Sequence, residues 1–260
     1  MEIQYFSDLH LECSQFYVEK NGDVLVLAGD IFTARSVERF KEFMERTMSL
    51  GFQAVMFVLG NHEGYGWSIP EARDLLMEMD TKYADFWFLD RSGVIIDGQR
   101  FVGASLWSNP SQNAKIQARL YITDYRAIRG WTIDNHVDEH WRDLNYLTDV
   151  VREGDVVITH FPPTRNGIDQ NRFGGDVLSP WFANELDGLI RGLKPTLWIS
   201  GHTHHIWDEL VGDTRDVGNC RGYTRVHQST GEMISEVKSF DPTRAIKIEI
   251  TDTCPVGAAS

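Results

Sequence analysis

The chain has 260 residues, 42% of them apolar and 12% aromatic, with a net charge of −13. That excludes a disordered or low-complexity polymer and suffices for one sizeable core. The acidity disfavours long nucleic acid, which is held through Lys and Arg contacts to phosphates, and no apolar run is long enough to cross a bilayer.

Cys13, Cys220 and Cys254 have no metal-finger spacing and cannot all pair, which suits a reducing cytoplasm. The N-terminus lacks a basic segment and enters a strand at once, so it reads as free of a signal peptide. Glu2 to Phe6 is that first strand, and it runs into Asp8-Leu9-His10. Val24 to Ala28 is a continuous apolar run, the pattern of a strand buried on both faces, and ends at Gly29-Asp30. A helix is predicted from Ser36 to Leu50, then a third buried strand, Ala54 to Leu59, that ends at Gly60-Asn61-His62-Glu63. Pro70 opens a helix to about Asp80, Phe86 to Leu89 is a short strand, and Asp97-Gly98 makes a hairpin turn between Val94-Ile95-Ile96 and Arg100 to Gly103.

Residues 105–133 are polar, aromatic and irregular, and are expected to form an insertion over a site. Asp134 to Arg152 reads as an amphipathic helix with Val137, Trp141, Leu144, Leu147 and Val151 on its apolar stripe; His136 and His140, one turn apart, form either a metal pair or, since no nearby Glu-His arrangement completes such a site, part of a solvated face, the reading preferred here. Val156 to Thr159 is a buried strand that ends at His160. Ser179-Pro180 is a helix-start signal for a helix through Ile190. Leu197-Trp198-Ile199 is a strand that leads into Gly201-His202-Thr203-His204. If that segment stays extended, His202 and His204 point to one side and His205 to the other, with Gly201 supplying a sharp turn. A hairpin around Gly212-Asp213, a last strand from Ala245 to Ile250 and a loose tail over 253–260 complete the chain. With no repeat or linker, 1–260 is expected to be a single α/β domain with mixed sheets.

Five apolar strands thus end in metal-capable residues, and five of the nine histidines occupy those ends. In open α/β sheets, ligands bind beyond the carboxyl ends of strands, where adjacent parallel strands gather such groups. Mixed oxygen and imidazole donors without paired cysteines suit Mn, Fe, Co, Ni or Zn better than Ca or Mg. Seven donors besides His62 exceed the needs of one ion and fit two, about 3.5–4 Å apart around a shared carboxylate.

The ordered set Asp8-x-His10, Gly29-Asp30, Gly60-Asn61-His62-Glu63, His160 and Gly201-His202-x-His204 resembles the calcineurin-like metallophosphoesterases, in particular small bacterial members. The resemblance implies a four-layer fold, a two-sheet mixed β-sandwich flanked by helices. It implies that Asp8, His10 and His204 hold one metal, that Asn61, His160 and His202 hold the other, and that Asp30 bridges them. His62 would stand near the phosphate and donate a proton. The expected reaction is hydrolysis of a small phosphomonoester or phosphodiester by in-line attack of a metal-bridging hydroxide, with manganese as the expected metal. A catalytically silent scaffold and a nuclease for short oligonucleotides are the alternatives.

In protein Ser/Thr phosphatases of this superfamily the second motif continues Gly-Asp-x-x-Asp-Arg-Gly. Here Thr33 and Ala34 stand in place of that Asp and Arg, which argues against a protein phosphatase and leaves open what orients His62. Glu63 is either that orienter or a surface carboxylate supporting the turn. Arg126, Arg129, Asn109 and Arg221 are candidate substrate-binding residues; Tyr65 and Trp67 are candidates to line the cleft; Cys13 is expected to be a buried apolar filler.

Overall fold

The computed structural model describes residues 1–176, 178–227 and 229–250. The tail over 253–260 lies outside the described residues. Strands β1 (Glu2–Phe6), β2 (Val24–Leu27), β3 (Ala54–Phe57) and β4 (Phe86–Phe88) run parallel in the order 1-2-3-4, and the chain returns to the edge at β1 as the antiparallel β13 (Ala245–Lys247). Helices α1 (Val37–Met48) and α2 (Ile69–Lys82) are the first two crossovers.

The second sheet is mixed. It holds β5 (Ser92–Ile96), β6 (Gln99–Ala104), β7 (Val156–Thr159), β8 (Leu197–Ser200), β9 (Ile206–Val211) and β10 (Thr214–Asn219) in the order 5-6-7-8-10-9. Asp97 and Gly98 take φ of 48° and 86° at the β5–β6 turn, as a tight hairpin requires. A two-stranded ribbon of β11 (Thr224–Val226) and β12 (Met233–Ser235), not foreseen in the sequence, follows β10.

The layers follow from strand period. Val24 and Val26 point between the sheets, where they meet Ile158 and Ile199; Leu25 and Leu27 point outward to Phe40, Met44 and Leu76 on α1 and α2. On the far side, Val157 and Trp198 pack against Leu147 of α5 (Ile133–Val150) and Ile190 of α7 (Asp187–Leu193). Among the described residues, no helix is long and apolar enough to cross a membrane.

Three helical expectations need correction. Residues 105–133 contain α3 (Gln112–Tyr121) and α4 (Asp124–Ala127), which with Trp181 make a small apolar cluster of Ala114, Ala118 and Ile122. The helix expected from Ser179 is broken: Ser179–Trp181 is one tight turn and α7 starts only at Asp187. Between them, the backbone N–H groups of Asn184 and Leu186 donate to the carbonyls of Pro162 and Pro163, which holds the segment extended.

The third correction concerns α5, whose buried face is His136, Glu139, His140, Asp143 and Leu147, with Trp141 exposed. That face is turned by one residue, about 100°, from the apolar stripe. Polar partners wait for it. Asp143 accepts the Leu106 N–H and pairs with Arg91, and His140 Nδ1 donates to the Trp107 carbonyl.

His136 lies among Trp107, Trp181 and Phe161. Ser108 Oγ spends its proton on the Trp181 carbonyl, so it accepts from His136 Nε2–H, and His136 Nδ1 is buried without a partner. Burial, and then the neighbouring His140, push the ring down to about 3. The unfolded state therefore binds a proton between pH 6.5 and about 3 that the native state does not, and stability falls as pH drops through that window. Urea unfolding between pH 7 and pH 4 is expected to weaken less steeply with acid in His136→Gln than in the parent; equal slopes would contradict the assignment.

Candidate metal centre and substrate cavity

The carboxyl ends of both sheets meet at one place. Ser7, just past β1, donates its N–H to Asn219 and accepts from Arg221 N–H at the end of β10. The donors thus come from two sheets, not from one row of adjacent strands. Their loops are strained: Asp8, His10, Asp30, His202 and His204 have φ of 55°, 47°, 57°, 75° and 51°. Such left-handed conformations cost about 1–3 kcal/mol each in non-glycine residues. The two histidines after β8 therefore converge from a left-handed turn, not from an extended segment. Gly201 does not supply positive φ; a Cβ there would stand 2.3 Å from Ser7 Oγ, so its role is close approach. Gly60 is the same, since a Cβ would lie 2.2 Å from Asp30 Oδ1.

Proton bookkeeping defines the centre. His10 donates Nδ1–H to Glu12 Oε1 at 3.0 Å, and His204 donates Nδ1–H to Glu236 Oε2 at 2.6 Å. A neutral imidazole has one N–H, so each Nε2 is then a bare acceptor. Yet the two Nε2 atoms face each other at 3.0 Å. Asp8 Oδ1, 3.6 Å from His204 Nε2, is buried with no donor.

The other half repeats the arrangement. His160 donates Nδ1–H to the Ala28 carbonyl at 2.8 Å, and its Nε2 lies 3.1 Å from His202 Nδ1, 3.2 Å from Asn61 Oδ1 and 3.4 Å from Asp30 Oδ1. Asn61 Nδ2 donates to Asp124 Oδ1 at 2.9 Å, which turns Asn61 Oδ1 inward. Burial, and then His160, push the His202 ring well down. Three sets of donor atoms, from Asp8/His10/His204, His10/Asp30/His62 and Asp30/His160/His202, each lie within 4.8 Å of one another. Buried acceptors aimed at acceptors leave a gap that suits a divalent cation.

His62 is held by its surroundings. Its ring stacks on Tyr65 with centroids 3.9 Å apart, Tyr223 Oη is 3.3 Å from Nε2, and Glu12 Oε1 is 3.6 Å from Nδ1. Burial pushes the ring down, but the Asp30 carboxylate and then Glu12 more than offset it, leaving about 9. Glu12 itself would be raised by burial; the facing His10 and His62 rings hold it at about 2. Glu63 is neither orienter nor surface carboxylate: fully buried, it accepts the backbone N–H groups of Asp30, Ile31, Phe32 and Gly60, locking two donor loops together.

Several expected contacts do not occur. Arg129 is exposed and pairs with Glu71, Asn109 is exposed and does not line the cavity, and Arg221 is buried, donating to the Leu9 carbonyl and Ser14 Oγ. Arg126 lines a separate cleft with Arg35 and Arg39, on which His62 and Tyr65 also border. Tyr65 lines the cavity, whereas Trp67 packs against the first core. His205 turns away onto Trp207, and Cys13 is exposed. The supporting carboxylates Glu12, Asp124 and Glu236 were missed; the His10-x-Glu12 spacing alone could have pointed to one of them.

The calcineurin-like phosphoesterase family model matches residues 3–205, and the chain belongs to that family. It is a metal-dependent phosphoester hydrolase. An uncharacterised protein of Acanthamoeba polyphaga mimivirus is 23% identical over 258 residues, covering 83% of this chain and 90% of its own. The phosphopantetheinyl hydrolase of Mycobacterium tuberculosis shares the fold at 16% identity, with a TM-score of 0.66 over 94% of this chain and 98% of its own. A dimetal phosphatase from Danio rerio superposes at 13% identity and a TM-score of 0.51, over 86% and 87% of the two chains.

Carboxylates that receive a ligating histidine's outer N–H commonly contribute ten- to a hundredfold in metal affinity. Glu12→Ala is accordingly expected to weaken manganese(II) binding by about that factor in calorimetry. An unchanged dissociation constant would show that Glu12 does not serve the centre.

Proposed function

We propose that the chain hydrolyses small phosphate esters at a dinuclear centre. Asp8, His10 and His204 would hold one divalent ion, Asn61, His160 and His202 would hold the other, and Asp30 would be shared between them. The observation that carries this reading is the pair of acceptor clusters meeting on either side of Asp30, with outer ring protons assigned elsewhere. Manganese(II) suits such a mixture of carboxylate, amide and imidazole.

When bound, divalent ions polarise phosphoryl oxygens and make water acidic enough to supply a nucleophile near neutral pH. The protein's own groups do the rest. His62 lines the cavity with Nε2 3.9 Å from Asp30 Oδ2, so in its protonated form it can stabilise a phosphoryl oxygen or protonate the leaving alcohol. Tyr65 and Glu12 hold its ring in that orientation, in place of the aspartate absent at Thr33. The donor-lined cavity of about 410 Å³ suits a small substrate and not a polymer. Membership of the calcineurin-like phosphoesterase family supports the ester class and leaves the choice of ester to this chain's own residues.

Manganese-reconstituted protein is expected to hydrolyse p-nitrophenyl phosphate or its bis ester and to lose that activity on chelation. His62→Ala is expected to lower kcat about a hundredfold to ten-thousandfold, and Asp30→Ala to bring it near background. Parent-like turnover in Asp30→Ala would refute the mechanism.

A further inference from the structure

The cavity has two kinds of lining. One is the donor set Asp30, Asn61, His62, His202 and His204. The other, the apolar arm, comprises Ile122, Ile168, Phe173, Leu178, Trp181 and Phe182, with the Phe182 ring 5.6 Å from that of His202. Ile122, Ile168 and Trp181 are buried, while Phe173, at 41% exposure, and Tyr121, at 63%, leave apolar surface open around the same cavity. The lining is drawn from residues 121–124, at the end of α3 and start of α4, and from residues 168–176 and 178–182 around α6 (Gln170–Phe173).

Charge in the arm is sparse and mostly negative. Arg172 stands between Asp169 and Asp176 in the lining, and its guanidinium lies 4.9 Å from the centroid of the Phe173 ring. One cation against two carboxylates disfavours a second phosphate there. An apolar group would instead cover Phe173 and Tyr121 and gain in proportion to the area removed from water.

The geometry points to a substrate class: a phosphate ester whose organic part is a predominantly apolar alkyl or aryl group, seated against the apolar lining of the arm while its phosphate lies over Asp30. This rests on the phosphoester-hydrolase reading and narrows it. Ile122, Phe173 and Leu178 then determine specificity, and the donors at the strand ends determine chemistry.

Alkylphosphonates from ethyl to octyl, titrated into manganese-reconstituted protein by calorimetry, separate the two. The dissociation constant is expected to fall about threefold to fourfold for each added methylene until the arm is filled. Leu178→Asp should cut the octyl-to-ethyl affinity ratio at least tenfold, and Phe173→Ala, at a partly exposed and tolerant position, should cut it severalfold. A ratio that stays flat with chain length, or phosphonates that fail to bind at any length, overturns the inference. A flat series beside intact p-nitrophenyl phosphate hydrolysis would leave the hydrolase reading standing. A steep series without hydrolysis of any ester would support the arm and count against that reading.

Discussion

Two bare imidazole nitrogens 3.0 Å apart, with a buried carboxylate oxygen beside them that no donor reaches, repel one another unless positive charge lies between them. Much of the local structure holds groups in that opposed arrangement. Glu12, Glu236 and the Ala28 carbonyl each take a ring proton from the far side and so fix which nitrogen faces inward. Asp124 does the same for the Asn61 amide. The left-handed backbone at five donors is strain concentrated where acceptors must converge. Backbone pairing offsets it: His10 N–H donates to Asp30, Leu11 N–H to Ile31, and Glu63 gathers four further N–H groups.

The sandwich explains why the convergence is rigid. Short strands, apolar on both faces, bury the sheets against each other and against helices, so each donor leaves a stem that cannot shift. The ends of β1 and β10 are joined through Ser7, Asn219 and Arg221, which closes the distance between the sheets at this edge. Chemistry sits on those strand ends. The apolar walls of the cavity come from α3, α4 and residues 168–176 and 178–182, outside the two sheets. A scaffold divided in this way can change what it binds by altering the walls and leave the donors in place.

The sheets were legible because buried parallel strands read as uninterrupted apolar runs: Val24 to Leu27, Val156 to Thr159 and Leu197 to Ser200 stand where hydrophobicity puts them. The donors were legible as residue types at strand ends. Their geometry was not, because an alternation argument assumes extended backbone and the chain turns left-handed at Asp8, His202 and His204. The face of α5 was misread for a different reason. Hydrophobic periodicity cannot register that Ser108, Trp107 and Arg91 would satisfy His136, His140 and Asp143 inside the fold. Glu236 was invisible likewise, since only the β11–β12 ribbon brings it to His204, which lies 32 residues earlier.

The account stands or falls on cations at the meeting point of the two acceptor clusters. Anomalous diffraction at the manganese edge, from crystals grown in manganese(II), addresses it most directly. Two peaks about 3.5–4 Å apart are predicted, one enclosed by Asp8, His10 and His204, the other by Asn61, His160 and His202, with Asp30 touching both. A single peak, peaks remote from Asp30, or none at saturating manganese would contradict it.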